Sequence, residues 1–386
     1  MLGVTEFRLP EQLDDYRRAL GRFMAEEGEA LAEETEATGV LPARLWPLFR
    51  EAGLFRLTLP RQYGGLGLTP SQYAPLLEEV AHSHGAIRLL VHMWNWISSH
   101  GILRYGTEEQ RRRYLLPLAQ GESHIAFSLT EPGTGTGTDI QTTARREGDI
   151  YYLAGEKHLV SYADIARAIQ VVAYTDRARR ADGITMFLVE KDTPGLTIAP
   201  QPEGMGMRGS FHGLLRFKDA PVPARQVLGQ EGQGLHIALD ILDLSRAFIA
   251  ISCVGLAQEM FDRSIKYAWR RVTFGKPIAQ RQAIQGIIAN MDTEIAAGRA
   301  LTMEVIRHSE AGEDIRADAA KAKLFALRMV GRVSDWALEV HGGLGYLKAM
   351  SIERLYRDAR ALWFEEGSPT IQQMVIAQSA LGAGHG

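Results

Sequence analysis

The chain is expected to fold as an α+β protein in three parts: an N-terminal α-helical domain, a central β domain of sandwich or barrel type, and a C-terminal helical bundle. Three observations predict this. Apolar residues recur at helical spacing through roughly the first 120 positions. Short runs rich in β-branched and aromatic residues, punctuated by Gly, Pro and Asp, follow from about residue 122. Helical spacing then returns near Gly232 and persists. With 386 residues there is enough chain for two or three structural units. The boundaries expected are 1–121, 122–230 and 231–386.

The first part opens with "EQLDDYRRALGRFMAEEGEALAEE", where acids and bases alternate between apolar positions of one helical face. In "LPARLWPLFREAGL", Pro42 is placed to start a helix and Gly53 to stop it. "SQYAPLLEEVAHSHG" and "GTEEQRRRYLLPLAQG" read as further helices. In the second part, "HIAFSLTE", "IYYLAGEKHLVS", "AIQVVAYT", "ITMFLVEKD" and "GLLRFKDAPVP" read as strands. In the third, the long segment from Gly234 is apolar nearly all round over its first half, as a buried helix is. Three more helices are expected, around 279–310, 315–340 and 367–381, and the terminal "GAGHG" is expected to fray.

Composition excludes several function classes. A net charge of -3 supplies no basic field for nucleic acid. The single cysteine, Cys253, rules out an internal disulfide and a cysteine-based zinc site, and its apolar surroundings suggest an inert thiol. No run approaches the 18 or so apolar residues of a membrane span, and the charged N-terminus lacks a signal-peptide core, so a cytoplasmic location is expected. No metal-ligand spacing and no nucleophile motif occurs.

Five places carry candidate chemistry. On the strand Ile125 to Thr130, Ile125, Phe127 and Leu129 share one face, and Ala126, Ser128 and Thr130 the other. The second, small and polar face is expected to admit a flat ligand. The following "TEPGTGTGTD" alternates glycines with hydroxyls, which suits a phosphate or is simply a mobile loop. In "RRVTFGKPIAQRQAIQ", Gly275 is expected to end a helix and Pro277 to block its resumption, with Arg271 able to grip phosphate. In "EVHGGLGY" one glycine serves as a helix C-cap and the second permits close backbone approach. Asp243 and Arg246 stand three apart on an otherwise apolar helix, as an ion pair or a ligand contact. His92 and His100 are close enough to reach a pocket but are read in preference as core histidines, and Trp94, Asn95 and Trp96 between them as lining of the acyl pocket.

The chain's end, "RALWFEEGSPTIQ", is the most informative stretch. Ser368 and Pro369 begin a helix as N-cap and first residue, and Gly367 permits a tight turn before them. Glu365 and Glu366 therefore precede a helix N-terminus and follow an apolar segment. The helix end favours an ionised carboxylate and burial the neutral form, so an acid so placed can be tuned as a base. Two acids cannot both be buried and ionised cheaply, so one is expected to face solvent or a cation.

Together, "YGTEEQRRRYLLPLAQGE", "FSLTEPGTG", "RVTFGKPI", "EVHGGLGY" and "YRDARALWFEEGSPTIQ", in this order, resemble the acyl-CoA dehydrogenase family of flavoproteins over nearly the whole chain. The resemblance implies a C-terminal four-helix bundle, FAD between the β domain and the bundle, and a homotetramer. It implies dehydrogenation of an acyl-CoA or acyl-carrier-protein thioester to the trans-2-enoyl thioester, with Glu366 removing the α-proton and the β-hydride passing to flavin N5. Electron-transfer flavoprotein is the implied acceptor.

Residue by residue, the resemblance puts Phe127, Leu129, Thr130, Thr136 and Ser161 beside the cofactor, with Leu159 where an aromatic residue shields the flavin edge. Ser368 also falls on a FAD contact. Arg271, Phe274, Gln282, Glu339, Gly342 and Gly343 fall on contacts to the FAD of a partner subunit. Asp243, Arg246 and Gly367 fall on substrate contacts. Glu365 falls near the acyl group, where its charge suggests a polar or cationic acyl tail. Ser245 occupies the position from which another branch of the family supplies its base. An oxidase or an enoyl-thioester reductase on the same fold is the alternative within enzymes. A binding or assembly protein on a degenerate scaffold is the alternative outside them.

Overall fold

The computed structural model describes residues 1–382; the remainder of the C-terminal "GAGHG", residues 383–386, lies outside the described residues. Helices Leu13–Phe23, Glu29–Thr38, Leu45–Glu51, Pro70–Val80, Gly85–His92, His100–Tyr105 and Glu108–Ala119 precede the first strand. The Glu108–Ala119 helix starts on a reciprocal cap: the Thr107 hydroxyl accepts from Gln110 N at 3.2 Å, and the Gln110 side chain accepts from Thr107 N at 3.0 Å. Pro42 sits one turn before its helix, which begins at Leu45, and Gly53 follows its end with φ 74°.

The central strands join in one mixed sheet. Its order is Leu196–Pro200, His212–Pro223, Ile150–Ser161, Thr143–Glu147, Ala166–Tyr174, Ile184–Glu190, Val227–Leu228. His124–Ser128 pairs in parallel with Ala166–Tyr174, setting Ile125 against Ala168 and Phe127 against Gln170. That strand lies between two cores. Ile125 belongs to the large core shared with the helices, and Ala126 to the core of the sheet itself.

The expected faces hold only in part: Ile125 on the apolar side is buried, and Thr130 on the small, polar side is partly open. Ala126 and Ser128 are buried, whereas Phe127, Leu129 and Thr130 are partly open. Phe127 and Leu129 are therefore accessible where the small face was expected to be, while the sheet's interior takes Ala126.

After the sheet, helices Gly234–Arg270, Gln282–Glu310, Arg316–His341 and Pro369–Ala380 follow, with Ile352–Ala361 between the last two. That short helix was not anticipated; its apolar face is narrow, but Ile352, Leu355 and Ala359 bury it. Gly275 also behaves differently from expectation. The long helix already ends at Arg270, and Val272–Thr273 pairs with Lys276–Pro277 across a turn in which Phe274 (φ 48°) and Gly275 (φ 77°) are both left-handed. Two positive-φ residues are what a tight primed hairpin requires. Among the described residues, no helix is long and apolar enough to cross a membrane, and no group of His, Cys, Asp or Glu is arranged for a metal ion.

Candidate active site

The turn 365–367 joins the short Ile352–Ala361 helix to the final one. Glu366 has φ 53°, uncommon for a residue with a side chain, and Gly367 has φ 94°. Such a backbone persists only when its surroundings hold it. Here Lys323, on the Arg316–His341 helix, is fully buried and donates from Nζ to the carbonyls of both Glu365 and Gly367, the latter at 2.6 Å. Gln372 Nε2 donates to Gly367 O at 3.0 Å and Glu366 O at 3.3 Å. Burial lowers the Lys323 pKa to about 8, although both glutamates oppose the shift. Ser368 precedes Pro369 as expected, but its hydroxyl does not cap the helix.

The two acids point to different partners. Glu365 meets Arg88, from the Gly85–His92 helix, in a bidentate pair of 2.9 and 2.5 Å. Burial pushes the Glu365 carboxyl up, but Arg88 outweighs it and the net shift is downward. The cation that a buried acid pair demands thus comes from the protein, and Glu365 is not an unmatched charge awaiting a cationic acyl tail.

Glu366 turns to the long helix and to His92. Its Oε1 accepts from Ser245 Oγ at 2.6 Å and lies 3.2 Å from His92 Nε2, while Oε2 is buried without a partner. Tyr162, whose hydroxyl bonds Ala86 O at 2.6 Å, and Cys253, whose thiol burial pushes up to about 12, lie buried within reach of the Arg88 and Glu365 charges.

Asp243 and Arg246 form an ion pair of 2.6 Å, and Arg316 lies 3.5 Å from the same aspartate. Arg246 is buried and its Nε lacks a partner. Trp94 and Asn95 are buried and spend their polar groups on the protein's own backbone. Asn95 satisfies the backbone of Leu54, Leu57, Thr58 and Val91, and Trp94 Nε1 bonds Leu118 O at 3.1 Å. Trp96 packs on His100 and on Phe248, which also touches His92.

Two further groups of the expected residues are each assembled. Lys157 Nζ donates to Leu129 O at 3.0 Å and His158 N to Thr130 O at 3.0 Å, so Phe127, Leu129 and Thr130 run beside Leu159 and Ser161. Leu159 has φ 55° and projects outward, 54% exposed. The glycine loop that carries Thr136 is clamped at its base: Glu131 pairs with buried Lys157 at 2.7 Å and accepts from Gln141 N and Thr142 N at 2.5 and 3.0 Å. At one end of the bundle, Ile278 and Val340 pack with Tyr267 and Ala268. This brings the Arg271–Gln282 turn beside Glu339, Gly342 and Gly343. Phe274 there is 97% exposed under the Arg281 guanidinium, and a Cβ at Gly342 or Gly343 would meet no atom within 4 Å.

The acyl-CoA dehydrogenase family models match in three consecutive segments: the N-terminal domain over residues 10–122, the middle domain over 126–220 and the C-terminal domain over 232–381. The chain belongs to this family, whose members are FAD-dependent oxidoreductases. It is 35% identical over 372 residues to the 3-(aryl)acrylate reductase of Clostridium sporogenes, covering 96% of this chain and 99% of that one. Its fold matches butyryl-CoA dehydrogenase from Megasphaera elsdenii with a TM-score of 0.90 at 31% identity, covering 97% of this chain and 99% of that one. A structure named as the electron transferring flavoprotein of Acidaminococcus fermentans matches with a TM-score of 0.92 at 31% identity, covering 97% and 99%.

The residues present fit FAD. The open apolar edge of Phe127 and Leu129 suits a flat ring, the unpartnered buried hydroxyl of Thr134 on the glycine loop suits a polar group, and Gly343 leaves backbone accessible to a pyrophosphate.

Arg88, Lys323 and Glu131, which sequence reasoning passed over, belong to this candidate site, as do His92, read from sequence as a core histidine, and Ser245, read only as the position of another branch's base. Their signal was available in part. Arg88 and His92 are four apart in the apolar "AIRLLVH", and Lys323 falls at a buried phase of "AAKAKLFA". A polar group in an apolar helical stripe needs a partner, but only the fold shows which one.

Proposed function

We propose that the chain dehydrogenates an acyl-CoA or acyl-carrier-protein thioester between its α and β carbons, with Glu366 as the base. The observation that carries this reading is the unpartnered Oε2 of Glu366, buried on a strained turn that Lys323 and Gln372 brace while Ser245 holds the other oxygen. A carboxylate oxygen that no protein group engages is free to meet substrate.

The Glu366 amide donates to the thioester carbonyl and stabilises the charge that develops there as the α-proton leaves. Oε2 receives that proton. Bound FAD supplies the two-electron acceptor for the β-hydride. Phe127, Leu129, Thr130, Thr136, Leu159, Ser161 and Ser368 hold the cofactor of their own subunit. Arg271, Phe274, Gln282, Glu339, Gly342 and Gly343 reach the cofactor of a neighbouring one, which makes the working unit a homo-oligomer, a tetramer in our reading. The 97% exposure of Phe274 supports this, since an apolar ring in water is a contact in waiting. Asp243, Arg246 and Gly367 face substrate. Helical, β and bundle domains at 1–121, 122–230 and 231–386 divide the labour. The acceptor we assign is electron-transfer flavoprotein, supported by the likeness to the Acidaminococcus fermentans structure.

A second reading runs the same chemistry backwards. It is favoured by the likeness to the 3-(aryl)acrylate reductase: Glu366 then gives its proton to the α-carbon of an enoyl thioester. Anaerobic mixing separates the two. Oxidised enzyme bleached by saturated acyl-CoAs supports dehydrogenation. Reduced enzyme reoxidised by 2-enoyl thioesters, with no bleaching by saturated ones, supports reduction. Neither response from any thioester removes both.

A further inference from the structure

Two buried polar side chains, from two different helices, meet at Glu366 Oε1. Ser245 Oγ lies at 2.6 Å, His92 Nε2 at 3.2 Å, and His92 Nε2 lies 2.8 Å from Ser245 Oγ. His92 and Ser245 are both wholly buried. Counting protons assigns the roles. An ionised carboxylate only accepts, so the one hydroxyl proton of Ser245 is committed to Oε1. Ser245 Oγ must then accept from His92, so Nε2 carries a proton. It is shared between the hydroxyl and Oε1. His92 Nδ1 is buried without a partner, in keeping with the tautomer that places hydrogen on Nε2.

This is more than a satisfied polar cluster. Both donors converge on one oxygen and leave the other bare, although the carboxylate has room for partners on both. Donors to a carboxylate favour its ionised form and fix its rotation. A base whose side chain could spin would present either oxygen, and proximity gains depend on presenting one.

We propose that His92 and Ser245 are positioning residues for the base, holding Oε1 of Glu366 so that Oε2 alone is presented to the α-proton. The inference rests on Glu366 being the base. The other charged groups around the turn are Arg88, Lys323 and Arg246 as cations and Glu365 as an anion. Arg88 is spent on Glu365, and Lys323 on backbone carbonyls. Ser245 and His92 therefore act on the Glu366 carboxylate itself.

The test is the pH dependence of kcat/KM in Ser245→Ala, Ser245→Thr and His92→Asn, with FAD bound. Ser245→Ala is expected to lower kcat about tenfold, the loss of one hydrogen bond to a charged group, with little change in KM. The acidic limb of its profile moves to higher pH by about one unit. Ser245→Thr, which keeps the hydroxyl, restores both, and His92→Asn moves the limb in the same direction as Ser245→Ala. Limbs that stay at the wild-type position in both Ser245→Ala and His92→Asn overturn the proposal, whatever happens to kcat. A substrate-free readout keeps it separate from the functional reading. The carboxylate infrared band of Glu366, isolated by subtracting Glu366→Gln, is titrated in wild type and Ser245→Ala. Protonation at higher pH in Ser245→Ala supports the positioning role even if no thioester turns over, and identical titrations refute it.

Discussion

The Arg88 guanidinium closes on the Glu365 carboxylate with two parallel contacts, 2.9 and 2.5 Å, one residue from the proposed base. A like charge beside Glu366 would repel an anionic enolate and hinder its own neighbour's ionisation. The pairing cancels that effect. It also ties the 365–367 turn to the Gly85–His92 helix, which carries both Arg88 and His92.

Breaking this pair by one side only leaves a buried charge unmatched. Arg88→Met and Glu365→Leu are each expected to cost about 3–5 kcal/mol in unfolding free energy, and the double variant to cost less than either. Denaturant unfolding of the three proteins measures this. A double variant whose loss equals the sum of the singles would show that the two residues do not interact. Because Glu365 is already matched, a quaternary-ammonium acyl-CoA is expected to reduce the flavin no better than butyryl-CoA.

Lys323 gives a pH signature. Its folded pKa of about 8 lies below the value of roughly 10.4 that an unfolded lysine has. Between those values the unfolded chain binds more protons, so this group makes stability rise with pH across that window. Lys323→Gln removes the contribution. The wild-type stability curve is therefore expected to climb relative to the variant from about pH 8 to pH 10, and a constant difference would contradict it. The variant also loses its hold on the turn, so kcat falls more than FAD affinity does.

At Gly343 binding and folding can be separated. A side chain there would meet open space, so Gly343→Val is expected to leave the unfolding midpoint nearly unchanged while weakening FAD at least about tenfold. Flavin fluorescence titration of the apoprotein reads this directly. Unchanged affinity would remove the glycine from the cofactor's surface.

Glu131 makes the opposite pattern. It pairs with Lys157 and ties down two amides, so Glu131→Ala strands a buried lysine. Its loss is expected to lower stability by roughly 3 kcal/mol or more and to loosen FAD through the glycine loop. Thermal unfolding with and without added FAD checks both parts.

The order of the elements was legible because hydrophobic period changes cleanly from helix to strand and back. The Glu365–Gly367 turn was legible because Gly367 and Pro369 leave the backbone few choices. What could not be read was pairing across distance. Nothing local in "AIRLLVH" says that Arg88 reaches Glu365, 277 residues on, or that His92 reaches Glu366. The strand Ile125–Thr130 misled for a related reason. Its alternation was plain, but which face opens depends on what packs against it, and the sheet's own core takes Ala126. Gly275 was assigned to a helix end because a glycine after a helical run usually is one; the left-handed Phe274 beside it made a hairpin instead.

The central claim, that Glu366 is the base, is tested most directly by mixing wild type and Glu366→Gln anaerobically with an acyl-CoA that bleaches the wild-type flavin. The substitution keeps size and hydrogen bonding and removes the proton acceptor. FAD bound in full, with bleaching slowed by a factor of about 10² or more, is the predicted result. A Glu366→Gln protein that bleaches at the wild-type rate would contradict the account.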